Sequence, residues 1–134
     1  MDGRAVGEPM SGIVIQGTRP CALMSMNDRL HWAKNAELTK LWQEAAFWVA
    51  KQNRLQPLTD FPVEVTVTFT RKRDGRIDPH NFFPTVKHLI DGLTMAGLWP
   101  DDDSTHVITR EPRFVPGDGR MFQIAIEWED HAGA

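Results

Sequence analysis

The sequence has few cysteines and lacks long apolar runs: its 134 residues include one cysteine, Cys21. A single cysteine cannot form an internal disulfide, which fits the reducing cytoplasm. No stretch approaches the ~20 apolar residues that a membrane-spanning helix needs. The first residues contain no apolar segment of the kind found in secretory signals. We therefore expect a cytoplasmic protein with no membrane partner.

The chain also lacks an excess of positive charge, because its net charge is −3 at pH 7. Overall charge therefore does not indicate a nucleic-acid partner, although a local basic cluster can still bind one. One such cluster follows a predicted strand: Arg71, Lys72, Arg73 and Arg76. A second polar group precedes the first predicted helix: Asn27, Arg29, His31 and Lys34. Each group is either a DNA-binding loop or a solvated turn.

The length suits a single domain, and there are no internal repeats. Residues 1–11 are rich in glycine and polar side chains without periodicity, which predicts a flexible N-terminal tail. Residues 12–130 are then one domain. Two features sit within it: a helical spacing of apolar residues from Asn35 to Arg54, and a strict two-residue alternation from Val63 to Thr70.

The order of elements predicts the fold class. Strands are expected at 12–17, 63–70, 107–113 and 121–129. One helix is expected from Asn35, as N-cap, to Arg54, with Trp42 and Trp48 in its buried stripe. A second is expected over 82–95, with Asn81 as N-cap and Pro84 in its first turn. We therefore predict an α+β domain, a small mixed or antiparallel sheet with two main helices packed on it.

The residues that could carry chemistry are concentrated between Arg76 and Asp103. Asp78 and His80 are two residues apart, so in an extended segment they point the same way and could reach one ion. Three consecutive aspartates, Asp101, Asp102 and Asp103, follow the second helix. Neighbouring carboxylates repel one another unless a cation compensates, and carboxylate oxygens suit Mg²⁺ or Mn²⁺.

The helix between these two groups contributes a lysine. Lys87 lies four residues before Asp91, on the same face, where it could offset phosphate charge. The same residues also admit a plain structural interpretation. Asp-Pro-x-Asn is ordinary turn chemistry, an acidic triplet is common in solvated loops, and Lys87 and Asp91 could be a surface pair.

This stretch resembles the core of the RusA family of Holliday junction resolvases, in particular its phage and actinobacterial members. The resemblance rests on three segments: Asp78-Pro79-His80-Asn81, then Lys87 with Asp91-Gly92, and then Ala96-Gly97-Leu98-Trp99-Pro100-Asp101-Asp102. The segment from Met26 to Trp32 is also similar, and the resemblance covers most of residues 12–130.

The resemblance implies a homodimeric, Mg²⁺-dependent endonuclease that cuts four-way DNA junctions in recombination and repair. It implies that Asp78, His80 and Asp102 are the metal ligands and that Lys87 is the catalytic lysine. Asn81 would support the ligand turn, and Asp91 would fix the helix or the lysine. A four-way junction needs two symmetric cuts, so one site per chain requires a two-fold dimer.

Two departures from the family pattern bear on the site. The segment between Asn81 and Lys87 is about three residues longer than in typical members. His80 stands where the family has a carboxylate, which removes a negative charge and favours Mn²⁺ or another nitrogen-tolerant metal. Alternatively His80 is no ligand, and Asp101 or Asp103 supplies the missing oxygen. Two other functions stay open: a junction-binding protein without catalysis, and a structural or adaptor domain.

Overall fold

The structure is a computed structural model that describes residues 11–17, 32–71, 79–117 and 122–130. Its strands are β1 (Ser11–Gly17), β2 (Val63–Arg71), β3 (Val107–Thr109), β4 (Arg113–Pro116) and β5 (Phe122–Asp130). Its helices are α1 (Trp32–Gln52) and α2 (Phe83–Met95), and a 3₁₀ turn, Pro79–Phe82, runs directly into α2. The predicted tail lies almost wholly outside the described residues. The predicted α+β class is confirmed, because two helices pack on a mixed five-stranded sheet.

The sheet has the order β1-β5-β2-β3, and β4 also pairs with β2. Strand β5 is antiparallel to both of its neighbours, whereas β3 and β4 run parallel to β2 along the same edge. The prediction of one strand over 107–113 is wrong, since this segment forms two short strands with a gap between them. Pro112 lies in the gap and has no N–H to donate to a ladder, which explains the interruption.

One face of the sheet forms the core. Residues that alternate along β2 and β5 are buried, as period-2 patterning requires: Val63, Val65, Val67, Phe69, Ile124, Ile126 and Trp128. Both helices contribute to the same core through apolar stripes: Leu38, Trp42, Ala46 and Ala50 of α1, and Val86, Leu89, Ile90 and Leu93 of α2. The opposite side chains of β2, among them Thr66 and Thr68, are half-exposed.

Helix α1 differs from the prediction in two respects. It begins at Trp32, so Asn35 lies inside its first turn rather than at the N-cap. Lys34 is also helical and pairs with Glu37 at 3.5 Å, a contact between neighbours on a helix surface. Trp42 is buried as predicted, but Trp48 is 58% exposed. At about 100° per residue, these two tryptophans lie about 120° apart around the helix, so one stripe cannot hold both.

Helix α2 matches its predicted span but not its predicted cap. The N-cap position is Phe82, and no side chain caps the helix. Asn81 lies in the 3₁₀ turn, so it lacks the extended backbone that an N-cap residue adopts. Pro84 falls in the first turn as predicted, where its missing N–H is harmless. Gly97 ends the helix with a φ of 89°, the conformation that favours glycine there.

Candidate functional site

The outer face of α2 carries a lysine held between two carboxylates. Lys87 Nζ donates to Asp91 Oδ1 at 3.2 Å and to Asp102 Oδ2 at 3.1 Å. Asp91 lies one turn further along the helix, and Asp102 comes from the loop after it. The structure therefore brings together three of the residues that the sequence singled out, fifteen residues apart at their widest.

The loop reaches Lys87 because buried residues return the chain to the helix. After the turn at Gly97, the Leu98 N–H donates to the Leu93 carbonyl at 3.1 Å. The Trp99 indole N–H then donates to Thr94 Oγ1 at 2.7 Å, and Leu98 and Trp99 are both buried. Asp102 follows this anchor by three residues, so its position is fixed by packing and hydrogen bonds within the protein.

The charges at this site stabilise one another. The hydrogen bond to Asp102 raises the pKa of Lys87 above its usual value, although partial burial opposes this. The hydrogen bond from Lys87 lowers the pKa of Asp102. The lysine is therefore an ammonium and Asp102 a carboxylate at neutral pH. Because the Lys87 side chain is 65% exposed, water screens the pair and it contributes little to folding.

The other two aspartates of the triplet face their own loop. Asp101 Oδ1 accepts the backbone N–H of Asp102 at 2.7 Å. Asp103 Oδ1 contacts the hydroxyl of Thr105 at 2.8 Å and the ring of His106 at 2.6 Å, and the latter bond lowers the pKa of Asp103. The three adjacent carboxylates therefore have three different sets of partners, and Asp102 is the one that contacts the lysine.

A cleft of about 470 Å³ opens beside the lysine. Its lining is mostly apolar, with Lys87 and Asp102 among the polar groups: Phe83, Pro84, Val86, Lys87, His88, Ile90, Asp102 and Thr109. The volume is within the range of small-molecule sites, roughly 300–1,000 Å³. No sequence pattern indicated this cleft, because Thr109 reaches it only through the pairing of β3 with β2.

His88 is a residue of this region that sequence reasoning missed. Its Nε2 lies 3.3 Å from Thr39 Oγ1 of α1, and its Nδ1 lies 3.9 Å from Asp91 Oδ2. Burial lowers the pKa of His88. The available signal was its position three residues before Asp91, on the same side of the helix.

Several predicted site residues cannot be placed beside Lys87. Asp78 lies outside the described residues, as do Lys72, Arg73, Arg76, Asn27, Arg29 and His31. The backbones of His80 and Arg71 are described, in the 3₁₀ turn and at the end of β2, but their side chains are not. Asn81 lies in the 3₁₀ turn before α2, and Lys34 pairs with Glu37.

Among the residues that the structure describes, no group of three or more histidine, cysteine, aspartate or glutamate side chains could hold a metal ion. The side chains of Asp78 and His80, two of the three predicted ligands, are not among those that the structure describes, so the ligand assignment stays a prediction. No helix within the same residues is both long and apolar enough to cross a membrane. No protein-family model matches the chain, and no curated protein matches it.

Proposed function

We propose that this protein is a metal-dependent endonuclease that cuts four-way DNA junctions. The observation that carries the proposal is the position of Lys87, which donates to both Asp91 and Asp102 and lines a cleft. A fixed ammonium beside a carboxylate is the pairing that phosphate cleavage uses, since the cation offsets phosphate charge and the carboxylate binds a metal.

Of the three predicted metal ligands, Asp102 is the one whose side chain the structure describes, and its carboxylate fits a hard cation such as Mg²⁺. Asp102 supplies oxygen, the donor that Mg²⁺ prefers, and its side chain is 28% exposed, so an ion reaches it from solvent. Asp78, His80 and Asp102 would hold Mg²⁺, or Mn²⁺ if the histidine is a ligand. Bound there, Mg²⁺ supplies Lewis-acid stabilisation of negative charge on phosphate oxygens. Asp103 is the weakest substitute ligand, because its carboxylate is turned toward His106.

Lys87 contributes positive charge and does not act as a base. Its hydrogen bond to Asp102 raises its pKa, so it stays protonated throughout the neutral range. Asp91 accepts from the same ammonium and keeps it on the outer face of α2, next to the cleft. The lysine would therefore bind a phosphate oxygen of the strand to be cut and stabilise the charge that develops there.

The substrate has approximate two-fold symmetry, so two cuts require two copies of this site. A two-fold homodimer supplies them. The basic residues of each copy, Arg71, Lys72, Arg73 and Arg76, would then bind DNA phosphates and offset the net charge of −3. The protein is thus proposed to act as a homodimer on branched DNA.

The decisive test is cleavage of a labelled four-way junction with Mg²⁺ and with Mn²⁺. We expect Asp102→Asn to reduce the cleavage rate by roughly 10²–10³-fold while junction binding is retained. Asp103→Asn is the matched control, since it changes the adjacent aspartate, whose contacts lie within its own loop. It should cleave within a few-fold of the parent protein.

Three outcomes would contradict the proposal. Parent-like cleavage by Asp102→Asn would remove Asp102 from the site. Tight, salt-sensitive junction binding without cleavage in either metal would instead identify a junction-binding protein. If neither binding nor cleavage is seen at low salt, the protein does not act on DNA junctions.

A further inference from the structure

Helix α1 exposes an apolar stripe at the border of the core, against which its middle residue, Ala45, partly packs. Leu41 is 50% exposed and Trp48 is 58% exposed, and half-buried Ala45 lies between them. Spacings of four and three residues place the three side chains on one line along the helix. A large tryptophan with over half of its surface in water, next to an exposed leucine, is typical of an interaction site.

The aromatic ring of this stripe is held in place by its own helix. Trp48 packs edge-on against Phe47, with ring centroids 5.0 Å apart and planes at 89°. The ammonium of Lys51 in turn lies 5.5 Å from the centre of the Phe47 ring. The ring is therefore positioned before any partner arrives, which lowers the entropy cost of binding.

We propose that this stripe is the interface with a second copy of the chain, with the two α1 helices packed antiparallel. Residues spaced i, i+3, i+4 and i+7 form the hole that receives a side chain of a facing helix. Leu41, Glu44, Ala45 and Trp48 have this spacing. Trp48 of one copy fits such a hole in the other, with the small side chain of Ala45 as its floor.

The charges beside the stripe favour a second copy in this orientation. Glu44 and Lys51 are exposed and lie seven residues apart, on the same flank of the stripe. When Trp48 lies over Ala45 of an antiparallel partner, Glu44 of each copy faces Lys51 of the other. Because the dimer is two-fold symmetric, this opposite-charge pair occurs twice. In a parallel pair of α1 helices, each residue would lie level with the same residue of the other copy, so no opposite charges would be brought together.

The need for a second copy rests on the proposed function, since two symmetric cuts require two sites. The location of the surface rests on α1 alone. The experiment accordingly measures mass in solution, by sedimentation or light scattering over a concentration series, and does not depend on cleavage. We expect the parent protein to be a dimer.

The critical variant is Trp48→Gln, which should weaken the dimer by roughly 30-fold or more, as loss of a central aromatic contact does. Trp32→Gln is the matched control: the residue type and helix are the same, and Trp32 is 77% exposed. It lies about 160° around α1 from Trp48, so its dimer should match the parent. Circular dichroism should show that both variants keep their helix content.

A charge exchange tests the orientation. Glu44→Lys and Lys51→Glu should each weaken the dimer several-fold, and the double variant should restore it, because its opposite-charge pairs are rebuilt. A monomeric parent protein, or a Trp48→Gln variant that dimerises like the parent, would overturn the interface. If Trp48→Gln dissociates the dimer but the parent cuts no junction, the interface stands and the proposed function fails.

Discussion

The two faces of α2 differ in what holds them and in what they can do. Val86, Leu89 and Leu93 of the inner face are fully buried in the core, whereas Lys87 of the outer face is 65% exposed. Substitution on the inner face must change packing, since interiors are close-packed. The outer face contributes little to stability, because water screens its ion pairs. The position of the site is therefore set by residues that take no part in its chemistry.

The comparison predicts its largest effect at Lys87. Under the proposed function, Lys87→Met should reduce junction cleavage by roughly 10²–10³-fold, because the positive charge that the proposal assigns to the scissile phosphate is lost. The same variant should lose no more than about 1 kcal/mol of unfolding free energy, since the pair is exposed. Junction-cleavage kinetics and urea unfolding on the same preparation measure the two quantities.

Lys40→Met provides the control for this change. Lys40 is also an exposed helical lysine with an acidic partner four residues on, Glu44, but it lies on α1. It should leave cleavage unchanged. If Lys87→Met unfolds the protein instead, the outer face bears on stability and the contrast between the two faces is lost.

The next effect in size is on the inner face, at Gly92. A Cβ there would overlap the carbonyl oxygen of Gln43 and would lie 2.9 Å from the Cβ of Ala46, so α1 and α2 would have to separate. We expect Gly92→Ala to destabilise the protein by about 2–3 kcal/mol through overpacking, despite the helix propensity of alanine. Urea unfolding measures this change.

Gly97→Ala separates crowding from backbone strain. A Cβ at Gly97 would meet nothing within 4 Å, but the φ of 89° disfavours any side chain. The cost there should be about 1–2 kcal/mol, from strain alone. A Gly92→Ala variant as stable as the parent would show that the two helices adjust to each other, contrary to the close contact at this crossing.

How far the sequence predicts the structure also differs between buried and exposed residues. Local periodicity predicted the buried stripe of α2 and the alternation of β2, because the spacing of apolar residues in each follows directly from which side chains are buried. It assigned Trp48 to the core wrongly, because residue type was given more weight than the six-residue spacing from Trp42, which puts the two tryptophans about 120° apart around the helix. It also placed the N-cap at Asn81, because it had no means of detecting the 3₁₀ turn that extends α2 backwards.

The site was predictable in part for a comparable reason. The contact of Lys87 with Asp91 follows from helix geometry, so a spacing of four residues suffices to suggest it. The contact with Asp102 depends on the return of the loop, which Trp99 and Thr94 fix through a hydrogen bond. No spacing rule encodes that return. The resemblance to a nuclease family supplied Asp102, and local pattern alone left its role open.

The smallest expected effect lies at the border of the two faces, at His88. Its side chain is 19% exposed and bonds to Thr39 of α1, and burial lowers its pKa from the usual 6.5. The unfolded chain therefore binds a proton at a pH where the folded protein does not. The unfolding free energy should accordingly fall as the pH is lowered below about 6.5. Above that value the titration of His88 should cost no stability.

His88→Gln tests this pH dependence, because glutamine does not titrate and can still bond to Thr39. Urea unfolding from about pH 8 down to about pH 5 should show a shallower loss of stability in the variant than in the parent. Near pH 8 this titration contributes no slope in either protein, which serves as the internal reference. Equal slopes throughout would mean that His88 titrates alike in the folded and unfolded states. His88 would then belong, with Lys87, to the solvated face of α2 and not to the border with the core.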